Sequence, residues 1–211
     1  MCTCTIGVDF DNTAVSYDAV LYREARAQGF VPQDVIVSKR TIRDAIRQRP
    51  DGKREWQRLQ ALIYGPKIGE GALIPGVRGF FQSCRRRRIP ISIVSHKTEY
   101  AGGDSASVNL RQAALRWMQQ QRFFEPDGLG LSADDVYFES TRQEKVARIA
   151  ALGCTHFIDD LEETFLEPGF PAHVHKILYG LQEGQGRDLP GMMRARSWQE
   201  IHAFFFPGTR P

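Results

Sequence analysis

No stretch of the 211-residue sequence approaches the roughly 20 consecutive apolar residues that a membrane-spanning helix needs. Its N-terminus also lacks the basic start and apolar centre of a secretory leader. A cytoplasmic protein with no membrane partner is therefore expected. Charge of one sign is missing too. Lys and Arg number 28 against 25 Asp and Glu, and a net charge of +3 is too mild to be the footprint of a nucleic-acid binder. Cysteine is scarce: Cys2, Cys4, Cys84 and Cys154. Cys2-Thr-Cys4 has no second short-spaced pair to complete a metal site, so reduced thiols used as small packing residues are expected. There is no internal repeat and no low-complexity tract. The remaining composition, 42% hydrophobic and 25% charged, is that of a globular chain, and its length suits one domain with a smaller appendage.

What is present is an alternation of apolar strands with helical patterns. Residues 3–8 read as a first strand, followed by a helical stretch over about 14–72, broken near 29–32, 50–52 and 65–66. Residues 77–84 read as a helix ending in Arg85–Arg88, and 89–95 as a strongly apolar strand. An amphipathic helix follows within 105–121, because Leu110, Ala114, Trp117 and Met118 recur on one face of a 3.6-residue period. Then come a strand (DVYF), a helix stopped by Gly153, a strand (CTHFI) and a further strand (HVHKILYG). A closing helix has Ser197 as N-cap and Glu200 placed for a capping box. Such alternation predicts a parallel sheet covered on both faces, a Rossmann-like three-layer α/β/α core.

Ligands of such sheets bind where the strands end. The first strand delivers Asp9 and Asp11, the strand over 89–95 delivers Ser95, and CTHFI delivers Asp159 and Asp160. Buried carboxylates are costly unless solvent, a metal or a chemical task answers them. Gathered at one edge, these four form an oxygen-rich site for a hard cation, Mg²⁺ where phosphate is also bound. One aspartate could attack phosphorus while the other gives and takes protons.

In order along the chain, "DFDNT", "IVSHKT", Lys145 within "TRQEKVARIAALG" and "FIDD" resemble the four motifs of the haloacid dehalogenase superfamily, whose members are mostly Mg²⁺-dependent phosphatases. The resemblance implies Asp9 as nucleophile and metal ligand, and Asp11 as general acid/base with its main-chain carbonyl on the metal. It implies Thr13 as loop support and Lys145 as the charge-neutralising lysine. Phosphate is expected at Ser95, Phe10, Asp11, His96 and Lys145. Asp160 is expected to ligate the metal directly, with Asp159 acting through water or on Lys145; the reverse order is also open. Lys97 is an alternative cation to Lys145, and His96, Lys97, Thr98 and Tyr100 are substrate-contact candidates. Members that remove halogen lack the second aspartate, so Asp11 favours phosphoryl transfer. The chain departs from the pattern at Asn12, where glycine is commoner, and at Ala14 and Val15, where leucine is usual. Glu162 and Glu163 extend the acidic motif without an assigned role.

The resemblance also implies a division into a core of residues 1–13 and 76–211 and a small helical cap of 14–75. Lys39, Arg40, Arg43, Arg47, Arg49, Lys53, Arg54 and Arg58 make this segment basic. Two readings stand for it: a lid attracting an anionic substrate, or a solvated helix face. Trp56, Tyr64 and Tyr17 are either ring-stacking residues or cap core. Arg85–Arg88 precede their strand and so belong to the sheet edge opposite the site. His173 and His175 alternate on a strand, with nothing else to suggest a metal. The expected activity is hydrolysis of a small phosphorylated metabolite, a sugar phosphate or nucleotide. A phosphotransferase or mutase on the same site, or a non-catalytic binding protein, are the alternatives. The oligomeric state is left open.

Overall fold

The computed structural model describes residues 4–100, 108–180 and 191–208. Its elements, in chain order, are Ile6–Val8 (β1), Val15–Ser16 (β2), Asp18–Ala27 (α1), Lys39–Arg47 (α2), Gly52–Tyr64 (α3), Ala72–Leu73 (β3), Val77–Arg86 (α4) and Ile91–His96 (β4). Then follow Leu110–Gln120 (α5), Val136–Glu139 (β5), Arg142–Ala151 (α6), His156–Asp159 (β6), Glu162–Phe165 (α7), His175–Tyr179 (β7), Met192–Ala195 (β8) and Trp198–Phe205 (α8). No helix among the described residues is long and apolar enough to cross a membrane. Cys2 and Thr3, and the N-terminal part of the helix expected within 105–121, lie outside the described residues.

The chain divides into two compact units. The first comprises Met1–Val15, Leu73–Lys97 and Gln119–Pro211. It holds a six-stranded parallel sheet in the order β5-β4-β1-β6-β7-β8. Alternation along the strands assigns their faces. Phe157 of β6 joins Val94, Ile149, Cys154, Phe165 and Leu178 on the side covered by α6 and α7. His156, its neighbour, faces the other way, with its ring 4.8 Å from that of Phe205 in α8. On that side Trp198 is buried among Phe80, Phe81 and Tyr179. The result is an α/β sheet with helices on both faces. Gly7, at the centre of β1, is required by packing: a Cβ there would sit 2.5 Å from the Phe157 ring.

The second unit comprises Ser16–Ala72 and Thr98–Met118, and contains α1, α2, α3 and most of α5. Its core includes Val20, Leu21, Ile42, Ile46, Trp56, Leu59 and Ile63. The division expected from sequence kept residues 98–118 with the core; here they group with the insertion. Tyr17 and Tyr64 pack ring to ring at 5.0 Å, and Trp56 is buried. Ser38 caps α2 by accepting from the Thr41 amide at 3.1 Å. Of the basic residues here, Arg43 pairs with Asp44 and Arg49 with Glu55. The Trp117 indole donates to the Gly71 carbonyl at 3.1 Å, so the predicted apolar face of α5 also carries a polar tie.

Three local expectations need correction. The strand read as beginning at Ile89 begins at Ile91 and runs through His96. A sixth strand, β8, was not foreseen, because Met192-Met193-Arg194-Ala195 is short and lacks β-branched residues. At α8, Ser197 does accept from the Glu200 amide, but the Glu200 carboxylate turns back to the Arg196 amide at 2.8 Å, one residue before the cap, so no capping box closes.

Candidate active site

β1 lies between β4 and β6, so Asp9, the first residue past its end, stands at the middle of the sheet. Its amide donates to the Ile158 carbonyl at 2.9 Å. The chain then turns: Phe10 O accepts from the amides of Ala14 and Val15, and Asn12 adopts a left-handed backbone, φ 64°. Asn tolerates that region, so it can stand where glycine is commoner. Thr13 ties the turn in two directions. Its hydroxyl accepts from the Asp160 amide at 3.0 Å, and its carbonyl accepts from the Trp198 indole at 2.8 Å.

Lys145 comes from α6. That helix starts at a capping box in which Thr141 accepts from the Glu144 amide and Glu144 accepts from the Thr141 amide. The Lys145 ammonium lies 2.6 Å from both Asp9 Oδ1 and Asp159 Oδ2. The other Asp159 oxygen accepts from the Leu161 amide at 2.9 Å. Burial opposes the charge on Lys145, but Asp159 and Asp9 outweigh it and raise its pKa. Burial pushes the Asp9 carboxyl up to about 7. Lys145 works against that rise, while Asp159, Asp160 and Asp11 add to it.

Asp11 is turned to a different partner. Its Oδ2 lies 2.7 Å from the Lys97 ammonium, which is itself buried. Four carboxylates therefore face two lysines, a surplus of negative charge. Oxygens of Asp9, Asp159 and Asp160 lie within 4.8 Å of one another, a hard-donor set that fits a divalent cation such as Mg²⁺. Glu162 and Glu163 begin α7 and are not in that group.

The structure thus brings Asp9, Lys145, Asp159 and Asp160 together, and pairs Asp11 with Lys97. Ser95 is buried on β4, two positions beyond Ile93, the partner of Val8. His96 is exposed and its Nε2 bonds the Ser140 carbonyl at 3.0 Å. Phe10 is fully buried, with its ring edge-on to Phe138. Arg85–Arg88 close α4 before β4 begins, at the sheet edge away from the site, with Arg87 over the Phe206 ring at 4.4 Å. His175 stacks on His156 at 4.8 Å. Two contacts escaped the sequence. Lys97 was visible as a cation beyond Ser95, but its pairing with Asp11 was not. The Trp198 bond to Thr13 joins residues 185 apart, and no local pattern announces it.

Neither a protein-family model nor a curated protein matches the sequence. Solved structures do. A haloacid dehalogenase-like hydrolase from Streptococcus pneumoniae superposes with TM-score 0.61 at 16% identity, covering 97% of this chain and 100% of that one. The chain has the haloacid dehalogenase fold. A second structure with this fold, from Deinococcus radiodurans and described with bound phosphate and sodium, matches at TM-score 0.56 and 15% identity, over 95% of this chain and 94% of its own. An L-2-haloacid dehalogenase matches at TM-score 0.51 and 13% identity, over 97% and 99%. The fold thus occurs both in a dehalogenase and in a protein with bound phosphate, and by itself assigns neither property to this chain.

Proposed function

We propose that the chain is a Mg²⁺-dependent phosphatase acting on a small phosphorylated metabolite, a sugar phosphate or a nucleotide. The observation that carries this reading is the separation of the two aspartates of "DFDNT". Asp9 is held by Lys145 beside Asp159, whereas Asp11 is held apart by Lys97. A nucleophile and a separate proton carrier are what phosphoryl transfer with a poor leaving group requires. Members of the fold that act on halogenated carbon lack the second acid, and the chain keeps it.

Asp9, Asp159 and Asp160, with the Asp11 main-chain carbonyl, would hold the magnesium ion, which when bound offsets the surplus negative charge and that of the phosphoryl group. In this reading the chain's own residues act in two steps. An Asp9 carboxylate oxygen attacks phosphorus, the bond to the leaving oxygen breaks, and Asp11 gives that oxygen its proton. Asp11 then takes a proton from water as the water attacks the Asp9 acyl phosphate, releasing inorganic phosphate and restoring Asp9. Lys145 keeps Asp9 oriented and Ser95 offers a hydroxyl to the phosphoryl oxygens. The helical unit is assigned as the cap.

A screen of phosphorylated metabolites with Mg²⁺ tests this. Wild type is expected to release phosphate from at least one class, and Asp9→Asn to lose on the order of 10³-fold or more in kcat. Equal release by both proteins would overturn the nucleophile assignment, and no release from any class would overturn the phosphatase reading.

A further inference from the structure

Lys97 is 3% exposed, at the exit of β4, two residues past Ser95. A buried ammonium is costly unless a carboxylate answers it. The two buried lysines divide the carboxylates between them: Lys145 takes Asp9 and Asp159, and Lys97 takes Asp11. Lys97 is well anchored. Its amide donates to the Glu139 carbonyl of β5 at 2.8 Å, and its ammonium stands 5.7 Å from the centre of the buried Phe10 ring. Asp11 is the more open partner, with 14% of its side chain exposed against 2% for Lys97. An anchored cation therefore grips one oxygen of a carboxylate that is less buried than the cation itself.

We propose that Lys97 is the positioning residue for Asp11, fixing the direction in which that carboxyl hands its proton to the leaving oxygen. The inference rests on the phosphatase reading. Lys97 itself forms and breaks no bond. Its contribution is orientation, and misplacement of a proton donor by about 1 Å costs on the order of 10²-fold in rate.

The role makes a prediction that mere structural support does not. A nitrophenyl leaving group departs as a stable anion and needs no proton, whereas an alkoxide does. Single-turnover release of the leaving group would be measured with Mg²⁺ for nitrophenyl phosphate and for an alkyl phosphate turned over in the metabolite screen. Lys97→Met is expected to slow the alkyl phosphate roughly 10- to 100-fold and nitrophenyl phosphate less than about threefold, with KM little changed. Lys97→Arg is expected to recover most of the alkyl rate. It also serves as the second variant if the methionine variant melts too low to assay: it should then show the same dependence on leaving group on a smaller scale. Equal slowing of both substrates by the variants overturns the inference and leaves the phosphatase reading standing. A wild type that turns over neither substrate overturns the reading, and the inference with it.

Discussion

At the scale of single residues, the site depends on how two lysines are spent. Lys145 is fully enclosed and is shared by two carboxylates that would otherwise repel across a dry space. Removing a partner from a buried ion pair costs about 3–5 kcal/mol. Lys145→Met is therefore expected to lower unfolding free energy by about that amount in metal-free buffer, measured by urea denaturation, and to abolish phosphate release. A second titratable residue acts far from the chemistry. Burial, and then the neighbouring His175, hold the His156 imidazole down at about 4, below its ordinary 6.5. The unfolded chain then binds more protons than the folded one between those values, so stability is full above 6.5 and lost as pH falls toward 4. The loss should be about 1 kcal/mol, well under the full linkage value because the ring is partly exposed. His156→Phe should flatten that part of the stability–pH curve, with the melting temperature as the readout.

At the scale of elements, β1 and α8 act together on the turn that carries Asp9 and Asp11. β1 needs Gly7 so that Phe157 can cross it. The turn after β1 is held through Thr13, by the Asp160 amide and by the Trp198 indole of α8. Trp198→Phe keeps most of the ring volume and removes only the donor, leaving a buried carbonyl unanswered at a cost of about 1–3 kcal/mol. The expected result is a lowered melting temperature together with a several-fold fall in kcat and an unchanged KM. The helices themselves were largely legible. α6 stops before Gly153, which takes the left-handed backbone expected of a helix stop, φ 62°, and α5 showed its apolar face in Leu110, Ala114, Trp117 and Met118, all four buried. β8 was not legible, since a short strand at a sheet edge is fixed by the neighbour it pairs with, here β7, rather than by its own residues. Glu200 had the right spacing for a capping box, yet its carboxylate found the Arg196 amide instead.

At the scale of the whole molecule, the strand order β5-β4-β1-β6-β7-β8 sets β1 between the strands that deliver Ser95 and Asp159. Carboxylates gathered this way should make stability depend on a cation. Mg²⁺ that binds only the folded chain stabilises it by about 2.7 kcal/mol at a hundredfold excess over its Kd, so the melting temperature rises with Mg²⁺ concentration. Asp160→Asn is expected to remove most of that rise, which differential scanning fluorimetry would read. The sequence by itself determined the alternation of elements, the parallel sheet and the residues that end its strands, because periodicity, caps and apolar runs are local. The resemblance of its motifs to the superfamily led to the proposal of different tasks for Asp9 and Asp11. Tertiary structure decided what was left open: that Asp159, 14 residues away, lies on Lys145 together with Asp9, and that Lys97 grips Asp11. Ion pairing in a buried site follows from distance and desolvation in three dimensions, and neither is written in the spacing of residues along the chain.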